Sequence, residues 1–373
     1  MNEPYEPFTP GPPHPTPVRH TQTSKLAKPN AISNEEMQTL LAPELRNGVL
    51  SAVQLDAVVL ARRAHLQNQA FLVGDGTGIG KGRTGVGSAY NGLLLDAPGV
   101  VGRRVVYFST AKVIEALMRD VRDFRLSAKV VDLRSSRAIP RGSDCILFVS
   151  YYSLPNKSKG GSETNAEFVA RFIREAPNAG TVPLIIDEAH NVKNCHGKGA
   201  AKSAAAAFQL FQNVRDETRM TFMSATPASC IEHLRLYAPF VGFVGSGSAP
   251  GAFPSFDRLL AKLGSNKDAS SLEFLSAEVV RTGCMVSRTL GFDGVEFSQH
   301  TVEMSEAWCA QHDAATEVFD AILATGLFNG MKRSGLFYAE SLRFFKSLIL
   351  NGKVEKTLEV ARDRLRKGMQ VVV

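Results

Sequence analysis

The residues of this chain that could do chemistry lie in two short stretches. From Phe71 to Thr84 the sequence reads FLVGDGTGIGKGRT, an apolar run that breaks into Gly74, Gly76, Gly78 and Gly80 before Lys81. A strand that ends in glycines and resumes as a helix turns several backbone N–H groups towards one point. Such a nest at a helix N-terminus suits a polyphosphate, and the Lys81 ammonium can reach the β- and γ-phosphates. Side chains in place of the glycines would block the close approach and the unusual dihedrals. Gly76, Thr77, Gly78, Gly80, Lys81, Gly82 and Thr84 are therefore the expected nucleotide contacts. The stretch departs from the usual phosphate loop at two positions. Asp75 stands where the first glycine is expected, and Gly82 replaces the Ser or Thr that holds Mg²⁺, leaving Thr84 as the nearest hydroxyl. A glycine-rich turn on a surface loop would have a similar composition.

The second stretch is Leu184-Ile185-Ile186, apolar throughout as in a buried parallel strand, ending in Asp187-Glu188-Ala189-His190. An open α/β sheet presents its chemistry at the carboxyl ends of its strands. There Asp187 can hold the Mg²⁺ of Mg–ATP, and Glu188 can orient or deprotonate an attacking water. An Asp-Glu pair can also simply cap a helix, but a DEAH tetrapeptide downstream of a GKG loop fits the catalytic pairing better. A further strand-like run, Arg219 to Met223, ends in the turn Ser224-Ala225-Thr226-Pro227.

Positioning these groups requires strands and helices in alternation, and the sequence supplies them. Val105 to Phe108, Ala128 to Val131 and Cys145 to Val149 are strand-like, and helical stretches run from Ala111 to about Phe124 and from Gly199 to Asn213. This alternation predicts an α/β domain over residues 33–245, with a parallel sheet covered by helices on both faces. Residues 1–32 carry eight of the eighteen prolines and read as an extended leader without helix or strand. A helix starts at Ser33, and an amphipathic helix follows from Ser51. On the latter, Gln54 either reads the edge of adenine with its amide or belongs to a polar helix face. Ser109 and Thr110 at one strand end, and Ser150 and Tyr151 at another, offer hydroxyls to a nucleic-acid phosphate, although turn chemistry explains them equally well. The Gly/Ser/Pro-rich run from Gly242 marks a boundary. Residues 246–350 then read as a mainly helical subdomain, with an extended piece near Val295-Glu296-Phe297. Residues 351–373 form a charged helix followed by an apolar strand, the expected start of a second α/β lobe.

With 373 residues, 44% hydrophobic and 21% charged, the chain is large enough for about two domains. No apolar run reaches the roughly 18 residues needed to span a bilayer, and MNEPYEPFTPG lacks the pattern of a secretory signal. The five scattered cysteines indicate reduced thiols in a soluble intracellular protein, with neither a zinc site nor a disulfide framework. A net charge of +7 fits a polyanionic partner and also an ordinary solvated surface.

Taken together, these stretches resemble the strawberry notch family, a branch of the superfamily 2 helicase-like ATPases. The likeness runs along nearly the whole chain: YEPFTPGPPHPTPV, LSAVQLDAV, GDGTGIGKGRT, DEAHNVKN, MSATPAS, FPSFDRLL, MVSRTLGFDGVEF and LRFFKSL. The resemblance implies a RecA-like P-loop domain that takes ATP and Mg²⁺, with Lys81 as phosphate ligand, Asp187 as metal carboxylate and Glu188 as catalytic acid. It also implies that His190, Ser224, Ala225 and Thr226 couple the nucleotide to a DNA or RNA track, and that GKGR is the family's own form of the loop. The implied activity is a nucleic-acid-dependent ATPase working with transcription or chromatin regulators. The alternative is a non-motor scaffold in transcriptional regulation. Neither reading involves a membrane or a small-molecule substrate beyond ATP. The compartment would be the nucleus in a eukaryote and the cytoplasm in a bacterium or virus. In such ATPases a second RecA-like lobe contributes arginines worth roughly 10³–10⁵ in rate. The chain stops as that lobe would begin, as in a fragment, a truncated gene model or half of a split protein. Weak ATP binding and slow hydrolysis are therefore expected of it alone.

Overall fold

The computed structural model describes residues 3–26, 32–157, 161–197, 200–242, 254–264, 268–291, 298–326 and 334–371. In chain order its elements are β1 (Val18–His20), α1 (Gln22–Leu26), α2 (Asn34–Leu40), α3 (Ala52–Leu66), β2 (Phe71–Val73), α4 (Lys81–Asp96), β3 (Arg104–Ser109), α5 (Ile114–Asp123), β4 (Lys129–Asp132), β5 (Cys145–Ser150), α6 (Asn165–Arg174), β6 (Val182–Ile186), α7 (Lys202–Asn213), β7 (Thr218–Met223), α8 (Phe256–Leu263), α9 (Ala269–Arg281), β8 (Met285–Val286), β9 (Arg288–Leu290), α10 (Glu306–Ala324) and α11 (Ser334–Arg366). Seven strands form one sheet in the order β4-β5-β3-β6-β7-β2-β8, every neighbouring pair parallel. The chain is thus an α/β protein with a parallel sheet, as its alternating runs predict, and with the RecA-like core that the resemblance implies. β2, β5 and β6 are buried along their full length, which is why β2 and β6 contain only apolar residues and β5 only Ser150 besides.

Two apolar cores flank the sheet. One contains residues of α3, α4 and α5, among them Val58, Val86 and Val121. The other contains Phe168 and Phe172 of α6, Phe208 and Phe211 of α7, and Phe222 of β7. α4 lies close to the sheet because it presents glycine there: a Cβ on Gly85 would come within 2.6 Å of the Met223 side chain.

The leader differs from its expected form. It contains β1, which pairs antiparallel with β9, and the short helix α1. It also covers α3, which is consequently buried on nearly every face and not amphipathic. Ala52 N–H donates to Pro12 O, and Asp56 accepts hydrogen bonds from Tyr5 Oη, Phe8 N and Thr9 N. Proline-rich chain makes few ladder bonds of its own, but it suits an extended strap held by the donors and acceptors of a helix beneath it.

The division into units also differs from the expected boundaries. One compact unit spans Met1–Asp293 and the other Gly294–Val373. α8 and α9 belong to the first unit, and β8 adds the last strand of its sheet beside β2. In the second unit α10 and α11 pack together through Trp308, whose indole N–H donates to Leu348 O at 2.9 Å, and through Phe319 against Phe344 and Phe345. α11 runs unbroken through position 350, and Met369–Val371 are not in a strand. The expected extended piece at Val295–Phe297 and the last two residues of the expected terminal strand lie outside the described residues. No helix among the described residues is long and apolar enough to cross a membrane.

Candidate nucleotide site

β2 delivers the chain to the phosphate loop, and α4 takes it away. Gly78 and Gly80 have φ values of +96° and +89°, the left-handed region that glycine enters without steric cost. Gly80 is the N-cap of α4, and no side chain caps that helix. The N–H groups of its first turn are therefore left to an anion, at the positive end of a sixteen-residue helix. Lys81 Nζ donates to the carbonyls of Asp75 (3.0 Å) and Gly76 (3.2 Å), which sets its charge inside the bend of the loop. Thr77, Gly78 and Gly80 form the exposed crest. Thr84 is buried, its hydroxyl donating to Gly80 O at 3.3 Å, so it serves the helix backbone.

Gln54 does not present a free amide to a base. Its Oε1 accepts from Ser51 N–H at 3.0 Å, and its Nε2 donates to the carbonyls of Ile79 (3.0 Å) and Gly80 (3.3 Å). The side chain ties α3 to the loop, a third role beside the two expected for it. Asp75 is likewise structural. Its buried carboxylate holds Arg288 of β9 through Nε at 3.0 Å and Nη2 at 2.6 Å, and accepts Arg288 N–H at 3.0 Å. The Arg288 guanidinium also lies over the Tyr5 ring, 4.9 Å from its centroid. The missing first glycine of the loop was visible in the sequence, but nothing there linked Asp75 to an arginine of another element.

Asp187 follows directly from β6. Ser109 Oγ donates to its Oδ2 at 3.0 Å, and Tyr151 Oη donates to its backbone carbonyl at 2.5 Å. Burial and the neighbouring Glu188 push the Asp187 carboxyl up to about 6, against the opposing influence of Ser109 and of the Lys81 charge. The loop lysine and the strand-end acid therefore act on each other electrostatically, although they lie far apart in the chain. Glu188 has φ +51°, a left-handed backbone unusual for a residue with a side chain and of a kind that clusters at functional sites. From Glu188 a polar chain leads onward. Glu188 Oε2 lies 3.3 Å from His190 Nδ1, which is 3.1 Å from Ser224 Oγ, which in turn accepts Thr226 N–H at 3.1 Å. Ser224 N–H donates to Val73 O, at the start of the phosphate loop. Glu188, His190 and the Ser224-Ala225-Thr226 turn thus form one polar run that begins next to Asp187 and is tied to the end of β2.

The residues expected to meet nucleic acid lie mostly inside. Ser109, Ser150 and Tyr151 are buried. Ser109 is spent on Asp187, Ser150 O accepts from Ser153 Oγ, and Tyr151 stacks on Phe108 at 5.9 Å. Thr110, at the start of a short 3-10 turn, is half-buried. Ser109 Oγ is taken by the Asp187 carboxylate and Tyr151 Oη by the Asp187 backbone carbonyl, so neither hydroxyl turns outward.

The family described as P-loop containing NTP hydrolase pore-1 matches residues 13–314. Protein strawberry notch homolog 1 of Gallus gallus is 27% identical over 390 residues, covering 96% of this chain and 30% of that protein. Protein strawberry notch homolog 2 of Homo sapiens is 28% identical over 379 residues, covering 96% of this chain and 26% of its own length. The chain therefore spans less than a third of the length of these relatives. Among solved structures, a Sulfolobus solfataricus SWI2/SNF2 ATPase core in complex with dsDNA aligns with a TM-score of 0.42 and 15% identity, over 85% of this chain and 64% of that one.

Proposed function

Since the chain belongs to the P-loop containing NTP hydrolase pore-1 family, we propose that its first unit binds Mg–ATP as the nucleotide lobe of a nucleic-acid-dependent ATPase. The observation that carries this reading is the Lys81 charge at the start of α4 acting on the Asp187 carboxyl that follows β6, with Glu188 linked through His190 to Ser224. The residues suit the ligand: an uncapped helix start with a lysine for the phosphates, and a carboxylate already oriented by Ser109 for the metal. Bound Mg²⁺ would neutralise phosphate charge. In this reading Lys81 holds the β- and γ-phosphates, Asp187 holds the metal, and Glu188 takes a proton from the attacking water. Ser224 and Thr226 then relay the state of the nucleotide to a bound DNA or RNA strand. An arginine from another part of a longer protein would complete the catalytic set. A role with transcription or chromatin regulators is carried over from the strawberry notch resemblance.

The test compares ATP turnover, with and without DNA and RNA, in a protein extended through a second lobe and in its Lys81→Ala and Glu188→Gln variants. Stimulation by nucleic acid that both substitutions reduce by about a hundredfold or more supports the motor. Negligible turnover unaffected by either change would leave the scaffold reading.

A further inference from the structure

Both carbonyls that hold the Lys81 ammonium belong to residues that Arg288 holds in turn. Lys81 Nζ donates to Asp75 O at 3.0 Å and to Gly76 O at 3.2 Å. The Asp75 carboxylate receives Arg288 N–H and Nε at Oδ1, both at 3.0 Å, and Nη2 at Oδ2 at 2.6 Å. Gly76 N–H donates to Arg288 O at 2.7 Å. Val286-Ser287-Arg288 thus splints Gly74-Asp75-Gly76, with two more bonds from Gly74 N–H to Val286 O at 2.8 Å and from Ser287 Oγ to Gly74 O at 3.2 Å. Arg288 is buried and is itself fixed by α3 and the leader: its Nη1 donates to Val53 O, and the Tyr5 ring lies over its guanidinium. Val53 precedes Gln54, whose amide donates to Ile79 O and Gly80 O. Both limbs of the loop are therefore referred to one turn of α3, the first through Arg288 and the second through Gln54. An ammonium has three N–H donors. Two of them are spent on Asp75 O and Gly76 O, which sets the direction of the third.

We propose that Arg288 is the positioning residue for Lys81, holding Asp75 and Gly76 in the conformation that aims the third donor of the ammonium at a bound phosphate. This rests on the Mg–ATP reading above, in which Lys81 is the phosphate ligand. The Asp75 carboxylate, standing where the usual loop has its first glycine, is the handle by which Arg288 grips the loop. A glycine there would leave the buried guanidinium without its anion, and only a guanidinium fork meets both carboxylate oxygens at once.

The experiment titrates the full chain in Mg²⁺ with a fluorescent ATP analogue, with urea unfolding in parallel to compare stability. In Arg288→Met combined with Asp75→Asn both buried charges are gone, so the fold should be retained. The affinity should nonetheless fall by about tenfold or more, as for the loss of one charge-assisted hydrogen bond. Introduced into Lys81→Ala, the same two changes should lower the affinity by no more than about twofold, because a residue that acts only through Lys81 then has nothing to position. A merely structural role would make affinity follow stability and the losses add. Arg288→Lys keeps a charge for Asp75 but lacks the fork. It should also lose affinity, and it serves as a second arm if the double variant does not fold. Unchanged affinity in the folded double variant, or in Arg288→Lys where that arm replaces it, overturns the proposal and leaves nucleotide binding intact. A loss that adds in full to that of Lys81→Ala does the same. Absence of saturable binding by the unaltered chain, or full affinity in Lys81→Ala, overturns this proposal together with the phosphate role of Lys81 in the Mg–ATP reading.

Discussion

Asp187 occupies the least favourable electrostatic position in the site. Its carboxyl rises from 3.8 to about 6 because burial and Glu188 disfavour its charge. A group whose pKa is higher folded than unfolded binds more protons in the folded state between those two values. Its stabilising contribution is therefore present below about pH 4 and lost as the pH rises through about 6. Asp187→Asn keeps an oxygen for Ser109 and removes the charge. The variant should therefore gain stability over the unaltered chain as pH rises from about 4 to 7, by up to about 3 kcal/mol. Urea unfolding at the two pH values measures this, and a difference independent of pH would refute it. A site that destabilises its own fold in this way is poised to bind a cation, which relieves the same repulsion.

At the scale of elements, the phosphate loop depends on pieces that the sequence keeps far apart. Gln54 of α3 holds its last carbonyls, and Arg288 of β9 holds Asp75 at its start. β9 is in turn paired with β1 of the leader. The ion pair between Asp75 and Arg288 is fully enclosed, with 0% exposure on both side chains. Arg288→Met should therefore strand a buried carboxylate and cost about 3–5 kcal/mol in chemical unfolding. Adding Asp75→Asn should recover a large part of that loss, because the stranded charge, more than the lost attraction, is what destabilises. Equal stability of the single and double variants would contradict this. The strands and long helices of this unit were legible in the sequence because a buried parallel strand is a continuous apolar run and the stretches between such runs are long enough for helices. β1, β8 and β9 were not legible. Each is two or three residues long, and the runs VRH, MV and RTL become strands only through the neighbours they meet.

For the whole molecule, every residue assigned to the nucleotide site lies in the unit spanning Met1–Asp293. A chain ended after Asp293 should therefore bind the fluorescent nucleotide as tightly as the 373-residue chain, in parallel titrations. A large loss would show that Gly294–Val373 contributes to the site. Turnover is a separate matter, since the chain spans 30% of the length of its Gallus gallus relative and the proposed catalytic arginine would come from elsewhere.

The sequence by itself determined the α/β class, the loop at Gly76–Lys81, the acids Asp187 and Glu188, and the Ser224–Thr226 turn. Each of these is a local pattern whose chemistry requires particular residue types in immediate succession. Only the tertiary structure decided what surrounds them: that Gln54 serves the loop backbone, that Ser109 and Tyr151 brace an acid, and that Asp75 belongs to Arg288. Those assignments turn on which side chains meet across strands and helices, a matter of packing geometry that no spacing along the chain encodes.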